Sequence, residues 1–226
     1  MLAAIALIPS APVLVPELAG AAAAEVADLR AAVLTAAAAL PGRWIVIGAG
    51  GADQVIPASA TGTFAGYGAD VRVSLAPDAD GPMSELPLAA LIAGWVRAQV
   101  NAGCLAEVLV HADVGEAAVR RGVTLRSELD ESPDPIGVLV VADGANTLTE
   151  SAPGGFEPDS VSAQAALDDA LAAGDADAVI RCAGGAVGQS AYEVLAGLTG
   201  RQPVRARELY RGAPFGVGYF VGTWLP

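Results

Sequence analysis

The sequence predicts one α/β domain spanning 1–226, with a central mixed, mostly parallel sheet and helices on both faces. Two observations carry this. Short β-branched apolar runs alternate with longer segments of helical spacing, the order that builds parallel sheets. The last two apolar runs have no helix between them, which adds an antiparallel part to the sheet. No internal repeat and no linker divides the chain.

The elements follow in order. Met1–Ile8 is an apolar run closed by Pro9 and reads as a buried strand. Three prolines in the next eight residues, Pro9, Pro12 and Pro16, predict extended loop as far as Gly20. Ala21–Leu40 reads as a helix whose stripe is Val26, Leu29, Val33, Leu34 and Leu40, ended by Pro41-Gly42. Trp44–Ile47 is a second buried strand. Gly48–Gly68, rich in Gly, Ala, Ser and Thr, reads as a long loop with room for one short strand, and Val71–Leu75 alternates as a strand. Glu85–Val100 is a helix, Glu107–Val110 a strand, Gly115–Arg121 a short helix, and Ile136–Ala142 a buried strand. Ser160–Leu171 reads as a helix capped by Asp159 or Ser160. Helices at Asp175–Arg181 and Ser190–Leu198 and strands at Val204–Tyr210 and Gly216–Trp224 close the chain.

Composition excludes several functions. Hydrophobic residues make up 54% of the chain, but much of that is alanine, and the longest apolar stretch, Gly20–Leu40, carries Glu25, Asp28 and Arg30. A membrane-spanning helix is therefore not expected. The N-terminal run meets Pro9 too early, and lacks the basic start, for a secretory signal; the expected compartment is the cytoplasm. A net charge of −13 disfavours nucleic acid and anionic lipid as partners. All 12 basic residues are arginine, which removes Schiff-base chemistry and a P-loop lysine. Cys104 and Cys182 lack CxxC spacing and read first as small buried hydrophobes. His111 is the single histidine, so one chain cannot supply a site of two histidines and a carboxylate.

Gly48-Ala49-Gly50-Gly51-Ala52-Asp53 follows a strand, but Asp53 stands where a dinucleotide fingerprint needs glycine, and loop chemistry follows. Turn glycines are the better reading. The stretch Pro9-Ser10-Ala11-Pro12-Val13-Leu14-Val15-Pro16-Glu17-Leu18-Ala19-Gly20 puts Ser10 at the carboxyl edge of the sheet, where ligands bind in open α/β folds.

This stretch resembles the opening of the class III extradiol ring-cleavage dioxygenases (the superfamily of the protocatechuate 4,5-dioxygenase catalytic subunit), and of their Memo-like branch in particular. There a strand is followed by Pro-His-x-Pro, three apolar residues, Pro-Glu and a glycine; Ser10 stands in the place of the histidine. Further landmarks follow in order. Trp44–Gly51 resembles the strand and turn where the family has Pro-His, with Ala49-Gly50 or a neighbour here. Val138–Thr147 and Ala152–Pro158 resemble its Ser-Gly-Asp-Leu-Ser-His turn and Ala-Pro-x-Gly-Tyr-Asp-Pro loop, with Asn146 or Thr147 for histidine. Arg181-Cys182-Ala183-Gly184 resembles its Cys-Gly segment, and Gly216-Val217-Gly218-Tyr219 its closing Val-Gly-Tyr strand.

The resemblance implies a family fold whose metal-binding histidines are gone. Ser, Ala, Gly and Asn do not replace imidazole as strong ligands, so no metal site and no cofactor is expected, unless iron or another divalent metal finds a site rebuilt from other residues. The expected function is a pseudoenzyme that binds a small molecule or a protein partner, as a homo-oligomer, most simply a dimer. The alternative is an oxidoreductase or other enzyme in a degenerate cleft built from Ser10, His111, Asp143, Asn146 and Cys182. His111 and Cys182 are then the catalytic candidates, and Ser10, Asp53, Asp143 and Asn146 the ligand-binding ones. Each also has a plainer reading. His111 is ordinarily a hydrogen-bonded histidine at a strand end, and Cys182 an inert thiol. Glu17, Asp53 and Asp143 ordinarily cap turns, although with His111 they could form a weak oxygen-rich cation site.

Overall fold

A computed structural model describes residues 1–200 and 204–226. Its strands are β1 (Leu2–Ile8), β2 (Arg43–Ala49), β3 (Gln54–Ile56), β4 (Thr61–Thr63), β5 (Arg72–Ser74), β6 (Leu105–His111), β7 (Ile136–Val141), β8 (Arg205–Gly212) and β9 (Tyr219–Leu225). The helices are α1 (Pro16–Ala19), α2 (Ala27–Ala38), α3 (Leu88–Val100), α4 (Glu116–Glu131), α5 (Pro158–Ala173), α6 (Ala176–Cys182) and α7 (Gln189–Thr199).

Seven strands form one sheet in the order β3-β6-β2-β7-β1-β9-β8, and β4 and β5 form a separate ribbon. The four central strands, β6, β2, β7 and β1, are parallel; β3 and β9 run against their neighbours, and β8 pairs antiparallel with β9. The mixed, mostly parallel sheet and the antiparallel closing pair are as the sequence predicts.

Alternation within strands sends side chains to two cores. Ala4, Ala6, Ile8, Trp44, Val46, Val108, Val110, Leu139 and Val141 face α2 and α3. Ile5, Leu7, Ile45, Ile47, Val138 and Val140 face α4 to α7. Two of the three buried indoles find a carbonyl acceptor, Trp44 Nε1–H at Pro41 O (2.6 Å) and Trp224 Nε1–H at Leu171 O (2.8 Å). Arg97, also buried, donates to Ser74 O, Ser74 Oγ, Ala102 O and Cys104 O, so its charge has partners throughout. Among the described residues, no helix is long and apolar enough to cross a membrane.

Several boundaries depart from the sequence expectation. The proline-rich stretch is not extended: Pro12–Leu14 is a 3-10 turn and Pro16–Ala19 a helical turn, each with proline at its start, where the missing N–H costs nothing. The helix expected over Ala21–Leu40 is a 3-10 turn over Gly20–Ala23 followed by α2, because the alanines before Val26 have no apolar stripe to bury. The expected loop Gly48–Gly68 contains β3, β4 and a 3-10 turn over Phe64–Tyr67, short pieces that propensity alone does not separate. α4 is 16 residues long and not a short helix ending at Arg121. The cap position of α5 is Glu157, ahead of Pro158, in place of Asp159 or Ser160. Gly216–Gly218 precedes β9 as a loop, which its bonds to 144–148 explain.

α4 and α7 cross at two glycines. A Cβ on Gly122 would stand 2.1 Å from Val194 O, and one on Gly197 would stand 2.1 Å from Val119 O. Both obstacles are backbone, so the helices must separate to admit a methyl group. Gly197→Ala is expected to cost about 2 kcal/mol or more by overpacking and to lower the melting temperature by roughly 4–8 °C. Urea unfolding checks this: a midpoint equal to wild type would show that the helices are not held this close.

Candidate functional site

β1, β7, β2 and β6 end nearly level, with Ile8 opposite Val141 and Ala49 opposite His111. The residues that follow gather at the carboxyl edge of the sheet. With Leu88 at the start of α3 and Gln189 and Ser190 at the start of α7, they enclose a cleft of about 540 Å³ whose polar lining includes Ser10 and Asp143. The volume suits a small organic molecule.

The loop carrying Asp143 is fixed from three sides. Buried Tyr192 donates its hydroxyl hydrogen to Ala142 O (3.0 Å), and Gly188 N–H donates to Asp143 O (2.8 Å). Gly144 N–H donates to Gly218 O, and Gly218 N–H returns to Ala145 O, each at 2.8 Å. Buried Gln164 accepts from Ala145 N–H (2.7 Å) and donates to Asp168 Oδ1 (2.8 Å). A Cβ on Gly144 or on Gly218 would run into the Gln164 amide, at 2.1 and 2.3 Å.

Asp143 Oδ1 accepts the Ser10 N–H at 2.7 Å, which ties the end of β7 to the end of β1. Its other carboxyl oxygen has no hydrogen-bond partner among the described residues. Burial pushes the Asp143 carboxyl up to about 7, against the pull of the Ser10 N–H. Near neutral pH the cleft therefore holds a carboxyl group that can donate or accept. Outside the cleft, burial also raises Asp168, the partner of Gln164, to about 6.

At the start of α7, Gln189 donates to Glu193 Oε1 (2.9 Å), and Glu193 Oε2 accepts the Gly115 N–H that opens α4 (2.5 Å). Ser190 Oγ donates to His111 O (2.8 Å), which also accepts from Gly50 N–H (3.1 Å). His111 thus bounds the cleft with its backbone. Its imidazole points to the other side of the sheet edge.

That ring lines an outer groove of about 680 Å³ between α4 and the β3–β6 edge, together with Asp53, Asp113 and Arg121. Arg121 pairs with the Asp53 carboxylate and stands 3.5 Å from Asp113 Oδ2. Asp53 Oδ1 accepts Ala112 N–H (2.9 Å), the chief reason its carboxyl is held below the usual range. Burial pulls His111 below its ordinary pKa and Arg121 adds to this, while Asp53 and Asp113 oppose it. His111 is 8% exposed, and both of its ring nitrogens are buried without a hydrogen-bond partner. Such an orphaned group costs about 1–3 kcal/mol.

The sequence candidates therefore fall in separate places. Ser10 and Asp143 meet in the cleft. His111 and Asp53 lie in the groove. Cys182, half-buried, lines a depression of about 360 Å³ between α5 and α6. Asn146 is in a turn whose carbonyl accepts Gly154 N–H (2.9 Å), and it lines none of these cavities. Glu17 is exposed on α1. Sequence reasoning missed Gln164, Gln189, Ser190, Tyr192, Glu193 and Arg121. The i, i+4 pairs Gln164/Asp168 and Gln189/Glu193 were the available signal.

No protein-family model matches the chain, and no curated protein matches it by sequence. Its fold does have a solved counterpart. The crystal structure of JW3007 from Escherichia coli, described as an uncharacterized protein, superposes with a TM-score of 0.59, covering 99% of this chain and 100% of that one. At 11% identity the likeness shows a shared fold and nothing about activity.

The cleft's donor set does not fit an iron centre of the two-histidine, one-carboxylate kind. Ser10, Ala49 and Gly50 bring a hydroxyl, a methyl and no side chain to its rim, and Asp143 is its one carboxylate. Among the described residues, no three His, Cys, Asp or Glu side chains gather where they could share a metal ion.

The raised Asp143 carboxyl has a consequence for stability. Its ordinary value is 3.8, so between pH 3.8 and about 7 the folded chain holds a proton that the unfolded chain has lost. This contribution is full below 3.8 and is lost as pH rises through 7. Asp143→Asn, which keeps an acceptor for Ser10 N–H, is expected to gain about 2 kcal/mol relative to wild type between pH 5 and pH 8. Denaturant midpoints at several pH values measure it. Parallel profiles for the two proteins would mean that Asp143 titrates normally.

Proposed function

We propose that this chain is a class III extradiol dioxygenase-like, Memo-like protein that has given up metal-dependent ring cleavage and binds a small organic molecule in the cleft at the carboxyl edge of its sheet. The observation that carries this reading is the lining of that cleft. By the resemblance, Ser10 and either Ala49-Gly50 or a neighbour stand where the family has imidazoles, and the chain's one imidazole lines the outer groove. What remains is a shaped, half-apolar cavity with few polar groups, the usual character of a binding site. Leu88, Val114 and Val141 offer apolar wall, the Gln189 and Ser190 side chains offer polar contacts, and Asp143 meets an oxygen or nitrogen of the ligand. With a carboxyl near 7, Asp143 serves a neutral ligand as donor or acceptor and a cationic one as counter-charge.

One observation favours a second reading. A carboxyl poised near neutral pH and open on one side is suited to general acid–base work. An enzyme of this kind would use Asp143 alone as its acid or base, because His111 and Cys182 open into other cavities.

Metal content decides between loss and retention of the family chemistry. After incubation with ferrous iron, copper or zinc and desalting, mass spectrometry is expected to find far less than one ion per chain. One ion per chain, lost in Asp143→Ala, would overturn the proposal. Its ligand-binding half is tested by native mass spectrometry of protein purified without denaturant. A small molecule carried by wild type and absent from Leu88→Trp, which narrows the cleft mouth, is the expected result. Equal retention by both proteins would place the ligand outside the cleft.

A further inference from the structure

We propose that the groove between α4 and the β3–β6 edge is a second ligand site, which takes a small neutral molecule with an apolar body and one alcohol or amide head that bonds the His111 ring. The inference stands independently of the cleft's role. It rests on a cavity and on an unfilled valence at the end of it.

The groove, at about 680 Å³, is larger than the cleft. One wall is the sheet, which presents Val55 and Leu109; the other is α4, which presents Ala117, Thr124 and Leu125. Val55 is 68% exposed on the edge strand β3, and Leu109 opposite it is only half-buried, so the sheet wall of the groove presents uncovered apolar surface. An apolar body laid along this wall covers it.

The head group is dictated by His111. Among the described residues, the buried side-chain polar atoms without a partner are its two ring nitrogens and one nitrogen of Arg30. Arg30 still makes a bond through Nε to Leu14 O, at 2.8 Å. His111 makes none with its ring. A neutral imidazole has one N–H to give and one lone pair to fill. An alcohol or a primary amide can satisfy either nitrogen, as donor or as acceptor. Entry of the head displaces the Arg121 side chain, whose ion pairs with Asp53 and Asp113 are solvent-exposed and therefore worth little.

Charge excludes the alternatives. Arg121 is already engaged by Asp53 and Asp113, and Arg120 by Glu116. Glu128 adds a further carboxylate to the lining. A carboxylate ligand would meet three acids with both arginines taken. These residues do not form a metal-ligand group, which disfavours a metal ion.

Because His111 is the only histidine, its ring ¹⁵N signals in NMR are unambiguous. The probes are 1-hexanol, hexanamide and hexanoate, each titrated at constant pH into the full-length protein. Saturable shifts of a ring nitrogen with hexanol and hexanamide, and none with hexanoate, are expected. Thr124→Trp, which fills the groove from an accessible helix position, should abolish the shifts. His111→Phe keeps the apolar wall and removes the head's partner, so hexanol affinity, followed on the Val55 methyl signals, should fall about fivefold to tenfold. No response of the ring to either neutral probe, an unchanged response in Thr124→Trp, or preference for hexanoate would each overturn the proposal.

Discussion

The close crossing of α4 and α7 sets the positions of both cavities. Two glycines, Gly122 and Gly197, let the backbones meet where side chains would hold them apart. Because α7 packs over the centre of the sheet, its first turn is delivered to the carboxyl ends of β6 and β7. There Gly188 holds the Asp143 carbonyl and Ser190 the His111 carbonyl. Because α4 is drawn onto α7, it stands away from the sheet's far edge, and the outer groove is the space it leaves. Glu193 reinforces the arrangement by accepting the N–H that begins α4. One contact between small residues therefore shapes the cleft on one side and the groove on the other.

The pattern of strands was legible because it is written in short apolar runs with fixed alternation. Ile136–Val141 and Trp44–Ile47 needed no tertiary information. Strand order did need it. β7 enters the sheet between β1 and β2, a pairing of residues more than ninety positions apart along the chain that no local signal encodes. α4 was under-read for a related reason. Its stripe of Ala118, Gly122, Leu125 and Leu129 contains a glycine that lowers helix propensity, and that glycine is present for its packing against α7.

The candidate site was half legible. Ser10 and Asp143 follow two parallel strands, and knowing that both strands end at the carboxyl edge brings them together. His111 also ends such a strand, yet a period of two decides which way a side chain faces. Ala106, Val108 and Val110 face α2 and α3, so His111 is in phase with Leu109 and faces α4. That phase was present in the sequence; the departure of its imidazole from the cleft follows from it. Gln189, Ser190 and Glu193 carried no such mark, since only the placement of α7 gives them a role.

His111 and Ala112 make the two cavities neighbours through one short piece of backbone. The His111 carbonyl is bonded from the cleft side by Ser190 and Gly50, while its ring lies in the groove. Ala112 lines the cleft, and its N–H is held by Asp53, which lines the groove and is itself paired with Arg121. A molecule that moves Arg121 changes what Asp53 has to share, and Asp53 is the group that anchors the cleft's edge at Ala112. The same strand end thus forms a hydrogen-bonded wall between the two cavities. The wall residues Asp53 and Ala112 are bonded across both cavities, whereas Ser10 and Asp143 line the cleft alone.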